Sequence, residues 1–105
     1  MRREGDTVTL ARHWPPVFDV SGDAAFPAVR PGRLAHQIRQ DMWRELKKLK
    51  GFAPAVEITL GDPFTVRAGG RVARHIPPRI DARIADLLED PANRKRWLAY
   101  ARYRT

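Results

Sequence analysis

A chain of 105 residues, 43% hydrophobic and 30% charged, is long enough for one packed core and too short for two. Its excess of Lys and Arg over Asp and Glu leaves a net charge of +8, which favours acidic partners without the composition of a disordered chain. Cysteine is absent, which excludes disulfides and thiol nucleophiles, and no apolar run approaches the ~20 residues that span a bilayer.

The first periodic segment is 7–14, where Val8 and Leu10 alternate with Thr7 and Thr9 as in a half-buried strand. Arg2 and Arg3 before it are not followed by an apolar h-region, so a soluble, cytoplasmic protein is expected. Pro15 and Pro16 end the strand. Residues 15–32 then carry Ser21-Gly22-Asp23, Pro27 and Pro31, and this density of turn formers predicts a long loop anchored on the core by Phe18 and Phe26.

Leu34, Ile38, Met42, Leu46 and Leu49 recur at helical spacing and predict one amphipathic helix over 33–50. Lys47, Lys48 and Lys50 suit its negative end, and Gly51 supplies the left-handed residue that closes it. Phe52 then folds back towards Leu46.

A three-stranded meander is expected over 55–76. Val56, Ile58 and Leu60 share a face with Phe64, Val66 and Ala68 if Gly61-Asp62-Pro63 makes a three-residue turn, which sets Glu57 opposite Arg67. By the same logic Gly69-Gly70-Arg71 is a second three-residue loop, leading into a strand with Val72 and Ile76 facing the core. Pro77 and Pro78 end the sheet. Two helices complete the chain over 79–104: the first turns Ile80, Ile84, Leu87 and Leu88 inward, and the second starts on an Asp90 cap with Pro91 at its first position. The fold class is therefore α+β, a single domain with an antiparallel three- to four-stranded meander, one long amphipathic helix and two C-terminal helices packed on it.

Charge is unevenly spread: zero over 1–32, +4 over 33–50, −1 over 51–90 and +5 over 91–105. Arg94, Lys95, Arg96, Arg102 and Arg104 interleave with Trp97, Tyr100 and Tyr103, a pairing of guanidinium forks with aromatic rings that suits phosphates and bases. Arg39, Arg44, Lys47 and Lys48, with Lys50, extend that surface if the two basic helices lie side by side. The expected function is a small, non-enzymatic binding or accessory protein that contacts nucleic acid or a nucleoprotein complex. Docking on an acidic protein surface, in the manner of a phage or mobile-element adaptor, is the alternative. No cofactor is expected. Ser21 lacks a nucleophile-elbow context, and His13, His36 and His75 lack metal-ligand spacing.

Residues 46–51 and 60–74, a helix end followed by a glycine-bearing hairpin, resemble the helix-then-hairpin core of RelE-type messenger-RNA interferases, small basic toxins. An Arg-x-Gly-x-x-Arg pattern on the hairpin of that family is matched by Arg67, Gly69 and, offset by one or two positions, Arg71 or Arg74. The resemblance spans residues 46–74, a little over a quarter of the chain. It implies a ribonuclease as the enzymatic alternative.

Overall fold

The computed structural model describes residues 1–103, and among them the order of elements is β1 (Arg2–Glu4), β2 (Thr7–Ala11), β3 (Val20–Phe26), α1 (Pro31–Leu46), β4 (Ala53–Thr59), β5 (Phe64–Arg71), α2 (Ile80–Glu89) and α3 (Pro91–Ala101). The strands form a five-stranded antiparallel sheet in the order β1-β2-β4-β5-β3. This is the α+β class read from the sequence, with more strands and with a different third partner for the hairpin.

α1 follows from its stripe: Leu34, Ile38, Met42 and Leu46 are each at most 2% exposed. It stops at Leu46, four residues short of the expected end, because the chain tightens there: Leu49 N donates to Leu46 O at 3.0 Å and Phe52 N to Leu49 O at 3.2 Å. Gly51 takes the left-handed conformation at φ +68. Phe52 enters the core and lies parallel to the ring of Trp43, with centroids 6.2 Å apart.

The hairpin of β4 and β5 has the expected register. Ile58 faces Val66 and Glu57 faces Arg67, so Val56, Ile58, Val66 and Ala68 all turn to the core. Beyond it the sequence misleads. Gly69 and Gly70 are not a turn; they lie inside β5, opposite Ser21 and Val20 of β3 and Ala55 and Pro54 of β4. No third meander strand exists over 72–76: Val72 N donates to the Asp19 carboxylate at 2.9 Å, Ala73 N donates to Lys50 O at 3.1 Å, and Ile76 is 40% exposed.

The place of that strand is taken by β3, from the segment expected to be loop. Val20, Gly22, Ala24 and Phe26 alternate inward, and the small residue at the centre is required by α2: a side chain at Gly22 would meet the Ala85 backbone N at 2.8 Å. Ser21-Gly22-Asp23 is thus a strand under a helix, not a turn. β1 is a further short strand, paired to β2 through Arg3 and Val8.

All three helices cover one face. α1 lies on β2 and β4, α2 on β3, and α3 seals them by packing on α1 and α2. Their apolar sides and the inward strand residues make one cluster around Trp97, Phe26, Leu34, Ile38 and Leu88. α3 starts as expected, with the Asp90 carboxylate accepting from Ala92 N at 2.9 Å and Asn93 N at 3.1 Å.

The opposite face carries the row Arg2, Thr9, Glu57, Arg67 and Asp23. Residues 12–19, which connect β2 to β3 past β4 and β5, lie against it as a strap. Arg67 covers the Phe18 ring at 4.2 Å and Arg2 covers the Trp14 ring at 4.4 Å. No helix is long and apolar enough to cross a membrane among the described residues.

Candidate functional site

The two basic helices do lie side by side, and they run antiparallel: Arg33 near the start of α1 is 5.5 Å from the Tyr100 ring near the end of α3, and Asp41 meets Arg96 and Trp97. That proximity engages several of the cations the sequence offered for a partner. Arg94 donates to Leu88 O at 3.1 Å and Ala25 O at 2.6 Å, and its guanidinium lies 3.9 Å from the Phe26 centroid. It is a brace between α3, the end of α2 and β3. Arg96 pairs with Asp41, and Arg44 approaches the other Asp41 oxygen at 3.6 Å. The groove flanking these residues is also lined by Glu45, Asp86 and Asp90, so its field is mixed.

What remains of the expected surface on α3 is Lys95, Tyr100, Arg102 and Tyr103, all exposed. Tyr103 carries the Arg30 guanidinium at 5.0 Å and Tyr100 that of Arg33, so both rings have a cation on them already. Arg104 lies outside the described residues.

The other side of α1 is different. At 100° per residue His36, Gln40, Trp43 and Lys47 fall on one exposed line away from the buried stripe, and half-buried Arg39 lies between that line and the stripe. β2 ends beneath this side, and it delivers Arg12. Arg12, His36, Arg39, Gln40, Trp43 and Pro54 line a groove of about 540 Å³ that contains no carboxylate. Arg12, Arg39 and Lys47 form no ion pair among the described residues. Lys48 and Lys50 both stand past the helix end, and both are exposed.

Trp43 is the residue that the sequence singled out least and the structure singles out most. It is 41% exposed, its ring is backed by the buried Phe52, and guanidinium and imidazole groups share its groove. Its signal was available: one aromatic in the polar arc of an otherwise regular amphipathic helix, four residues from both Arg39 and Lys47. Arg12 was missed because its place depends on where β2 ends.

For the other chemistries the placements are plain. Ser21 is half-buried in β3, with its backbone N bonded to Asp81. Among the described residues no group of three or more His, Asp or Glu side chains could hold a metal ion. The helix-then-hairpin order of α1, β4 and β5 is present, with Arg67 and Arg71 on the strap side of β5, Gly69 inside the strand, and Arg74 and His75 exposed beyond it. Compared with known proteins, the chain matches no family model, no curated protein and no solved structure.

Proposed function

We propose that this is a small, non-enzymatic nucleic-acid-binding protein whose contact surface centres on the outer side of α1, with Arg12, Arg39 and Lys47 as phosphate ligands. The observation that carries this is the composition of the groove at Trp43: cations without internal partners around an exposed aromatic, and no acid. α3 contributes Lys95 and Arg102 at most, because Arg94 and Arg96 are held by the protein's own carbonyls and Asp41. Backbone phosphates do not carry sequence, so binding through these cations is weakly sequence-dependent.

The test is a titration of labelled, mixed-sequence oligonucleotides against the wild type, an Arg12→Gln/Arg39→Gln/Lys47→Gln variant and a Lys95→Gln/Arg102→Gln variant, across a range of salt. Wild type binds with a negative slope of log affinity against log salt. The triple variant flattens that slope by roughly 0.7 to 0.9 per phosphate contact removed, and the double variant changes it less. A wild type that binds neither DNA nor RNA at low salt overturns the proposal. Capture of an acidic protein that is lost in the same triple variant would instead favour docking on an acidic protein surface.

A further inference from the structure

We infer that the α1 groove takes single-stranded nucleic acid, by stacking an unpaired base on the outer face of Trp43 while Arg12 and Arg39 hold the adjoining phosphates. This rests on the nucleic-acid reading above and names the form of nucleic acid that the same site prefers.

The inference comes from the state of Trp43. The parallel arrangement with Phe52, interplanar angle 7° and centroids 6.2 Å apart, is an offset stack that leaves the indole supported on one side and 41% exposed overall. Phe52 itself is 5% exposed and belongs to the core cluster, so the platform is fixed from beneath before any ligand arrives. The other exposed aromatics are differently placed: Trp14, Tyr100 and Tyr103 each already carry an arginine on the ring. A free π-face is of no use to a duplex, whose bases are stacked on one another. It is of use to an unpaired base, and stacking of that kind tolerates any base identity. The cations are arranged to match, since Arg12 and Arg39 line the same groove as the ring, together with His36 and Gln40 as further hydrogen-bonding groups. The apolar area of an exposed tryptophan and an uncompensated cluster of guanidinium groups are thus one feature with one ligand chemistry.

The experiment compares a fluorescein-labelled, mixed-sequence DNA strand about a dozen nucleotides long, its duplex, and an abasic strand of the same length, for wild type, Trp43→Leu and Trp43→Tyr. Circular dichroism of each variant confirms that the fold is retained. Wild type should prefer the base-bearing strand over both the duplex and the abasic strand by about tenfold. Trp43→Leu should lose about tenfold on the base-bearing strand, keep the wild-type salt slope and bind the abasic strand as wild type does, because charge contacts are untouched. Trp43→Tyr, which keeps an aromatic face, should recover most of that loss. Equal affinity of wild type and Trp43→Leu for the base-bearing strand overturns the stacking role and leaves charge-mediated binding standing. Equal or tighter binding of duplex does the same. Absence of binding to all three probes overturns both.

Discussion

The Asp41 side chain, 14% exposed, serves three neighbours at once: it accepts from the Trp97 indole Nε1 at 2.7 Å, pairs with Arg96 through the same oxygen, and lies 3.6 Å from Arg44 through the other. Trp97 is wholly buried, so its N–H has no recourse to water if the carboxylate is removed. An unsatisfied buried donor costs about 1–3 kcal/mol, whereas half-exposed ion pairs of the Arg96 and Arg44 kind contribute under about 1 kcal/mol. The indole contact therefore outweighs the charge pairs. Asp41→Ala should lower the urea midpoint clearly, and Asp41→Asn, whose amide oxygen can still accept from the indole, should lower it by much less. Equal midpoints for the two variants would mean that the ion pairs, not the indole, are what Asp41 serves. Gly70 sets a second sharp condition: its φ is +152 and a side chain there would overlap the Ala53 carbonyl, while one at Gly69 would overlap the Val20 carbonyl. Gly69→Val and Gly70→Val should each fail to give a cooperative thermal transition at the wild-type temperature.

Strand β3 is an edge, and the helices close part of it. Asp81 of α2 accepts from Ser21 N at 2.8 Å, and Arg94 of α3 donates to Ala25 O at 2.6 Å, which blunts a row of free backbone groups that could otherwise pair with another chain. Arg94→Gln should consequently melt lower and aggregate more readily on heating, measured by turbidity alongside ellipticity, while binding oligonucleotides with wild-type affinity. Reduced affinity at unchanged stability would return Arg94 to the contact surface. The contrast between β3 and β5 also shows which features a sequence can carry. The stripe of α1, the Asp90 cap and the facing of Glu57 and Arg67 were legible because each depends on residues within one turn, one helix or one hairpin. β3 was hidden because its Gly22 is dictated by the Ala85 backbone, sixty-three residues on, and the glycines of β5 by carbonyls of β3 and β4. Locally both segments spell turns. The candidate site divides in the same way: the concentration of charge on two helices was visible, but which cations are free depends on tertiary partners such as Ala25, Leu88 and Asp41.

At the scale of the molecule, a net charge of +8 is distributed so that Arg83, Arg94 and Arg96 on the α2–α3 side meet carboxylates and the cations around the end of α1 and the end of the sheet do not. Arg12, Arg39, Lys47, Lys48, Lys50, Arg71 and Arg74 make no ion pair among the described residues. Like charges held together in the native state and dispersed in the unfolded one oppose folding, and the opposition weakens as salt shortens the Debye length to about 10 Å at 0.1 M. The melting temperature should therefore rise between low and moderate salt, and rise less in the Arg12→Gln/Arg39→Gln/Lys47→Gln variant, which starts with less to screen. A polyanion that binds the native state acts more strongly than screening does. At a hundredfold excess over Kd a ligand stabilises by about 2.7 kcal/mol, and for a domain of this size each kcal/mol moves the transition by about 4–8 °C, so a saturating single strand should shift the melt by more than about 10 °C. The comparison belongs at one moderate salt concentration, where screening is held constant and only binding differs. A single strand that leaves the melt where it was, at a concentration that saturates the wild type in the titration, would mean that it binds native and unfolded chains equally well, and would remove the folded groove at Trp43 from the account.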